Sequence, residues 1–399
     1  MNKVNRQFMQ QWNKRLVLAI ARSHGSLSQV DIVRKSGLSA GAVVNITRQL
    51  RKDRFLQQVG KGRSIGGRCP VILKFNSSAK YIVSALCNDR ETLVAVVDLT
   101  GVIVEKSSFP TRPEAGPAAF LRSFKQHVER LLASKSIPMS RIMALVAGFE
   151  GMVDAQSGVL IDCVRLGWKN VPFRDQFVSA FGIDTYVESC TRTAVYSEFV
   201  LGKGKPDRNL VYAVLESGIG LSIIHEGRLF HGAHQMEGEI GHTVEDPSGP
   251  LCRCGKRGCL EAMASGPAII EAAREAMVPG MDKMEGKTEE QAFRYVLHAA
   301  EQGNKTANDI LGKAAMFLGR ALAGVINLVD PDKVILAGYM VEKDSEYFFK
   351  MIRDAAEARY LGNPLRKLNI VRNTLWHDAA IIGGAMLVCQ DVFSLPEWK

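Results

Sequence analysis

The sequence predicts an α/β protein in which a small, basic helix-turn-helix module with a wing precedes a body of two α/β lobes. Residues 1–75 hold 15 Lys and Arg but only two acidic residues, a net charge of +13, so the rest of this 399-residue chain carries −3 of the total of +10. The order of elements agrees with this division, because short helices and a hairpin come first, and strands followed by helices then occur twice. Such alternation is typical of layered α/β domains.

The length of the chain also indicates about two to three domains. We expect the basic module at residues 1–76, a first lobe at 80–195 and a second lobe at 196–376. An apolar C-terminal helix at 377–392 is expected to return to the first lobe, and a cleft is expected between the lobes.

The composition excludes several classes of protein. Its 36 Gly and 14 Pro are ordinary numbers and argue against collagen-like or low-complexity chains. The longest apolar run, residues 379–389, is too short to cross a bilayer, and the N-terminal residues lack the pattern of a signal peptide, so no membrane insertion is expected. Three of eight cysteines lie between 252 and 259, which in the reducing cytoplasm, the expected location, favours a metal site over disulfides.

The helices of the basic module are indicated by apolar spacing and by capping residues. The first helix has apolar residues at helical intervals. A second, short helix begins at Ser28 and ends at Gly37, with Val30, Ile32 and Val33 expected on its buried side. Ser39 is a good N-cap for a third helix at 40–52.

This arrangement predicts a module that binds double-stranded DNA, with the third helix in the major groove. Asn45 can pair with adenine and Arg48 with guanine or phosphate. A Gly- and Arg-rich tip at residues 60–70 between two apolar runs predicts a hairpin wing whose arginines suit a narrow minor groove. The predicted DNA-contacting residues are Ser39, Ala40, Gly41, Val44, Asn45, Arg48, Arg51, Lys61, Arg63 and Arg68. The alternative is a docking module with a solvated basic surface.

The body is predicted to contain strands and helices in two rounds. The predicted strands are 81–87, 93–98, 102–107, 142–147, 185–187, a pair within 210–225, and 333–337. The predicted helices are 118–133, 193–201, 267–276, 289–302, 307–328 and 379–388.

The strongest chemical signal in the body is His242 followed by Cys252, Cys254 and Cys259. One imidazole and three thiolates form the usual closed, tetrahedral set for structural Zn²⁺. Because such a site has no open position for water, the zinc is expected to stabilise the fold and to take no part in hydrolysis. The alternative is three unliganded thiols in a loop.

The segment Glu237-Gly238-Glu239-Ile240-Gly241-His242, followed by Cys-x-Cys-Gly-x-x-Gly-Cys-Leu-Glu, closely resembles the signature of the ROK family (repressor, open reading frame, kinase). The Gly-Gly-Arg-x-Pro wing and the closing Gly383-Gly384-Ala385 extend the resemblance over nearly the whole chain. The resemblance implies a two-lobed, actin-like (ribonuclease H-like) ATPase/sugar-kinase fold. Members with an N-terminal module of this kind are typically sugar-responsive transcriptional regulators.

Three departures from the kinases of this family predict that phosphoryl transfer has been lost and that the chain is not an enzyme. The first phosphate turn reads Asn88-Asp89-Arg90-Glu91-Thr92, without a glycine that would let the backbone approach a phosphate. The second begins with Glu216-Ser217, which puts an acid beside the expected triphosphate. At the position of the family's catalytic Asp stands Cys190, and a buried thiol is a poor general base.

The resemblance also implies a sugar site at Gly151, Arg165, Glu239, His242 and Glu261. His242 would use one ring nitrogen for zinc and the other for the ligand. Arg165 replaces an Asn of the family, which suggests a phosphorylated or acidic sugar.

We therefore predict a transcriptional regulator of carbohydrate metabolism, a repressor, which binds a DNA operator and a sugar or sugar-phosphate effector as a homodimer or homotetramer. An active sugar kinase with a DNA-binding head and a scaffold without a small ligand are the alternatives. An activator would have the same sequence features as a repressor.

Overall fold

The computed structural model describes residues 3–61, 70–342, 345–362 and 368–394. The helices are α1 (Lys3–His24), α2 (Gln29–Ser36), α3 (Ala40–Lys52), α4 (Gly116–Ser134), α5 (Phe173–Phe181), α6 (Cys190–Val200), α7 (Leu260–Ala264), α8 (Gly266–Glu275), α9 (Glu289–Glu301), α10 (Lys305–Val329), α11 (Glu346–Glu357) and α12 (Ala379–Phe393). The strands are β1 (Ser26–Ser28), β2 (Leu56–Lys61), β3 (Val71–Phe75), β4 (Tyr81–Cys87), β5 (Glu91–Asp98), β6 (Ile103–Pro110), β7 (Ile142–Phe149), β8 (Met152–Asp154), β9 (Val159–Cys163), β10 (Trp168–Val171), β11 (Asp184–Ser189), β12 (Leu210–Leu215), β13 (Ile219–His225), β14 (Arg228–Leu229), β15 (Lys333–Ala337) and β16 (Asn369–Arg372).

The N-terminal head consists of α1–α3 and a three-stranded sheet in the order β1-β3-β2. A capping box starts α2, since the Ser28 side chain accepts a bond from the Asp31 backbone N–H and the Asp31 carboxylate accepts one from the Ser28 N–H. Gly37, at φ 68°, ends this helix in the left-handed conformation. The prediction that Val30 is buried is wrong: Val30 is 68% exposed while Ile32 is buried, because residues two apart lie on opposite sides of a helix.

The antiparallel pair β2 and β3 forms the base of the predicted wing. Lys61 ends β2, and its side chain lies outside the described residues. Arg63 and Arg68 of the predicted wing tip also lie outside the described residues.

Two five-stranded sheets form the body, and we name the two lobes after them. The first lobe has the order β11-β7-β4-β5-β6, and the second has β14-β13-β12-β15-β16. In each, an antiparallel meander of three strands is extended by two parallel strands. This repeated plan agrees with the predicted two α/β lobes. The exact domain boundaries remain a prediction.

Helices α6 and α12 pack closely against each other between the two sheets. A Cβ added to Gly383 of α12 would lie 1.6 Å from the Thr193 carbonyl oxygen of α6, so only glycine permits this approach. Helix α12 is also tied to β4, where the Ser84 hydroxyl donates to the Ile381 carbonyl at 2.7 Å. The C-terminal helix thus packs on the first lobe.

The end of α12 also contacts the head. The Phe393 ring packs edge-on against Phe55 and Phe75, with ring centroids 6.1 and 6.4 Å apart. Arg22 of α1 lies over the same ring at 5.7 Å, and Arg15 donates to the Ser394 carbonyl at 3.1 Å. Head and first lobe therefore share one continuous hydrophobic core.

Several elements were not predicted from the sequence: β1, β8, β9, β10, β14, β16, α5, α7 and α11. The strands β8–β10 form a separate small sheet beside the first lobe. In the part of the chain that is described, no helix is both long and apolar enough to span a bilayer.

Candidate functional site

The predicted metal ligands come together in one loop of the second lobe. One ligand atom from each of His242, Cys252, Cys254 and Cys259 lies within 4.8 Å of every other. The loop turns tightly, since the Cys252 N–H bonds to the Lys256 carbonyl at 2.7 Å. An imidazole and three thiols at this separation fit a tetrahedral Zn²⁺ site. The geometry is compatible with the predicted structural zinc.

The ring of His242 lies between this cluster and a carboxylate. Its Nδ1 is 3.6 Å from the Cys252 Sγ, and its Nε2 is 3.9 Å from an oxygen of Glu239. A metal on Nδ1 would therefore fix the ring orientation and leave Nε2 beside Glu239. The predicted double role of His242 is consistent with this geometry.

The other predicted ligand-binding residues follow strands or begin helices in both halves of the body: Gly151 follows β7, Arg165 follows β9, and Glu261 lies in α7. Glu261 accepts a bond from the Ile219 N–H at 3.2 Å, which directs it toward the β12–β13 turn. Gly151, at φ 130°, leaves no space for a side chain, since an added Cβ would lie 2.6 Å from the Asp162 carbonyl oxygen. Arg165 forms an ion pair with Asp89 at 3.1 Å. Burial would lower the pKa of Arg165, but the carboxylates of Asp89 and Glu150 raise it. The guanidinium therefore stays charged and already has carboxylates of the protein beside it.

The two turns that the sequence predicts as altered phosphate loops are joined through one carboxylate. Arg90, in the β4–β5 turn, pairs with Glu289 at 2.9 Å, and Ser217, in the β12–β13 turn, donates a hydrogen bond to the same carboxylate. We call Arg90, Ser217 and Glu289 the interlobe clasp. Because Arg90 belongs to the first lobe and the other two to the second, the clasp holds the lobes together at this end.

Acidic groups line the cleft near the clasp. Burial raises the pKa of Glu150 to about 7 and that of Glu216 to about 8; the carboxylate of Asp89 also raises the pKa of Glu150, and the carboxylate of Glu150 also raises that of Glu216. Burial also raises the pKa of Cys190, which begins α6, so this thiol stays protonated. An environment that disfavours negative charge is poorly suited to a triphosphate.

One charged residue that sequence reasoning missed lies between the lobes. Arg192 of α6 is almost fully buried and pairs with Glu188 and with Glu237. Its signal in the sequence is a lone arginine in the stretch Thr191-Arg192-Thr193-Ala194, which precedes an apolar helical segment.

In the head, α3 presents the predicted DNA-contacting face to solvent. Val43, Thr47 and Leu50 are buried, whereas the N-cap residue and the predicted contact positions on the helix are exposed: Ser39, Ala40, Gly41, Val44, Asn45, Arg48 and Arg51. Gln29 of α2 donates to the Thr47 hydroxyl at 2.8 Å and so fixes the angle between the two helices. The exposed face combines small residues at its start with an amide and two arginines, as direct readout in a major groove requires.

Comparison with known proteins places these features in a family. The family model described as "ROK family" matches residues 90–391. The chain is 25% identical to the xylose repressor of Caldicellulosiruptor bescii over 397 residues, which is 99% of both chains. It is 28% identical to a glucokinase of Halalkalibacterium halodurans over 313 residues, 76% of this chain and 93% of the glucokinase.

Among solved structures, a ROK family transcriptional regulator described as a homolog of the Escherichia coli MLC protein superposes with a TM-score of 0.81. It is 23% identical, and the match covers 97% of each chain. This likeness confirms the predicted fold, including the position of the head before the two-lobed body. The match over most of the chain confirms the resemblance seen in the sequence, and the chain belongs to the ROK family.

Proposed function

We propose that this chain is a sequence-specific DNA-binding repressor of carbohydrate-metabolism genes, whose body binds a sugar or sugar derivative and does not transfer phosphoryl groups. The observation that carries the proposal is a basic helix-turn-helix head that shares one core with a sugar-kinase-like body. The relative named a xylose repressor aligns along the head as well as the body, whereas the relative named a glucokinase matches only 76% of this chain.

The body supports binding without phosphoryl transfer. Cys190 stands at the position of the catalytic Asp, and its raised pKa removes it as a general base near neutral pH. The interlobe clasp bridges the two turns that would hold phosphates. His242, Cys252, Cys254 and Cys259 would hold a structural Zn²⁺, and that ion would keep Glu239, His242 and Glu261 on one rigid loop.

The effector acts, in this proposal, by preferring one arrangement of the lobes. Helix α12 packs on α6, which lies between the lobes, and its end packs on the head. A change in the angle between the lobes would therefore move α12 and, through it, the head. A ligand shifts this equilibrium only as far as its affinities for the two arrangements differ. Two heads in a dimer or tetramer would read paired half-sites, whose spacing the lobe angle would set.

Operator selection tests the whole proposal. The purified full-length chain is incubated with genomic fragments, and bound fragments are sequenced with and without D-xylose, D-glucose and their phosphates. We expect fragments with paired half-sites beside carbohydrate genes and their release by one sugar. If fragments are enriched but no sugar releases them, the chain acts as a DNA-binding scaffold and its sensing role fails. If no fragments are enriched, the whole proposal is overturned. A reporter under the selected operator separates a repressor from an activator.

The kinase alternative has its own measurement. Release of ADP from ATP and Mg²⁺ is followed with each sugar, and we expect none from the natural chain. Sugar-dependent ADP release would show that phosphoryl transfer is retained. Calorimetry with neutral and phosphorylated sugars tests the role of Arg165: because Asp89 already pairs with it, a phosphate must displace that carboxylate to bind.

A further inference from the structure

Arg192 lies buried where three segments of the cleft meet. Its guanidinium donates to Glu188 of β11, to Glu237 at 2.7 Å, and to the Val153 carbonyl at 2.8 Å. Only 5% of its side chain is exposed, and the Glu188 and Glu237 side chains are 10% and 7% exposed. One side chain thus connects β11 of the first lobe, and β8 of the small sheet beside it, to the loop after β14 in the second lobe.

Val153 and Glu237 are each close to residues of the proposed ligand site, and Glu188 lies two residues before Cys190. Val153 lies two residues after Gly151. Glu237 lies two residues before Glu239 and five before His242. Arg192 itself is two residues after Cys190. The three segments that would surround a sugar are therefore all attached to one guanidinium.

The bond from Arg192 to Glu237 is one of several contacts that hold the loop that carries Glu239. Glu237 accepts a second bond, from the Gly232 N–H at 2.8 Å, which closes the loop on itself. The loop also contacts β13, where the Leu221 N–H donates to the Gly238 carbonyl at 3.0 Å and a Cβ added to Gly238 would lie 1.8 Å from the Leu221 oxygen. Burial alone would raise the pKa of Glu237, but the bonds from Arg192 and from the backbone lower it, so the carboxylate stays charged and bonded.

We propose that Arg192 is a positioning residue of the ligand site, which sets the distance between the Gly151 segment of the first lobe and the Glu239–His242 segment of the second. This inference rests on the proposed function and deepens it. Arginine is suited to the role because its planar, five-donor head holds several acceptors at fixed angles, whereas the point charge of lysine does not. Arg192 contacts no ligand in this proposal and acts only through the residues that it holds.

Two variants of the full-length chain test this role. Arg192→Lys keeps the charge but loses the planar set of bonds. The double variant Arg192→Met with Glu237→Met removes both charges of the Arg192–Glu237 pair together, and Glu188 keeps its bond from the Ser189 N–H. The control is Arg174→Met: Arg174 also bonds to backbone carbonyls, of Ala155 and Gln156, but entirely within the first lobe. Thermal unfolding and zinc content identify any variant that fails to fold.

The first readout is the Kd of the sugar that releases operator DNA, D-xylose or D-glucose, measured by calorimetry. We expect both Arg192 variants to bind about 10–100-fold more weakly, as is typical when a residue that orients a binding group is lost. Arg174→Met should bind as the natural chain does. Equal affinity in folded Arg192 variants would overturn the inference.

The second readout needs no ligand. Hydrogen exchange by mass spectrometry should show faster exchange at residues 151–154 and 232–242 in both Arg192 variants, and elsewhere the rates of the natural chain. Unchanged exchange in these segments would overturn the inference. If the natural chain binds neither sugar, the sensing part of the proposed function fails, and hydrogen exchange alone then decides the role of Arg192.

Discussion

Replacing Phe393 by Ala should separate the head from the body. The ring is 5% exposed and contacts Phe55 and Phe75 of the head edge-on, with Arg22 over its face. Truncating a buried Phe to Ala costs about 3–5 kcal/mol, and these aromatic and cation contacts favour the upper half of that range. Because most of these contacts cross the head–body boundary, the substitution should weaken docking of the head more than it weakens the core of the head or of the body.

The assays are urea unfolding, limited proteolysis and operator binding. A domain is stable by only about 5–15 kcal/mol, so the loss should turn one transition into two and expose the segment near residue 76 to protease. The head should still bind DNA, while its response to sugar should be lost.

The matched control is Phe177→Ala. Phe177 is also fully buried, and its ring stacks on Phe173 and packs against Phe124, within the first lobe. This variant should lower stability by a similar amount and keep the head docked. The reasoning would be refuted if the Phe393 variant unfolded in a single transition with the midpoint of the natural chain. It would also be refuted if the head undocked to the same extent in the Phe177 variant.

Three further predictions concern the metal, the cleft and the DNA-facing helix. Cys252→Ser should remove close to one zinc ion per chain by atomic absorption and lower the melting temperature, because metal binding contributes directly to folding, whereas Cys163→Ser should keep the zinc. The raised pKa values of Glu150 and Glu216 mean that the folded state binds more protons than the unfolded one above about pH 4.5, so their contribution to stability should fall as pH rises through about 7 and 8. Urea midpoints measured between pH 5 and 8.5 should show this decline, and Glu216→Gln should flatten it; an equal slope in that variant would contradict the assignment. Asn45→Ala and Arg48→Ala should each reduce discrimination against mutated operators by about 1–3 kcal/mol in competition binding, whereas Lys169→Ala, in the body, should change nothing. Uniform weakening on all sequences would instead assign the two side chains to phosphate contacts.

Elements whose signals are local were predicted well from the sequence. The bounds of α3 are those expected from Ser39 as N-cap and the apolar spacing that follows, and β4 and β15 match residue for residue. Strands β8–β10 have only three to five residues each, too few for a periodic signal. Helix α11 was missed although Phe348, Phe349, Ile352 and Ala356 are buried at helical spacing, so its signal was present in the sequence.

The candidate site likewise has one part that local sequence signals predict and other parts that they do not. The four predicted metal ligands lie within one short motif, and their chemistry and spacing were enough to predict that they lie close together. The clasp and the Arg192 cluster depend on pairing between distant segments, which neither propensity nor periodicity encodes. Arg165 shows the limit most clearly: its replacement of an Asn was visible in the sequence, but its pairing with Asp89 was not.

The contact between Phe393 and the head has a consequence for biosynthesis. Because α12 follows the head and both lobes in the chain, the head can fold before the ring that docks it has been synthesised. Docking of the head is therefore a late step in folding. A chain that terminates before α12 would have a head whose DNA binding no longer depends on the body. Only a chain that includes α12 can make occupancy of the operator depend on the arrangement of the lobes.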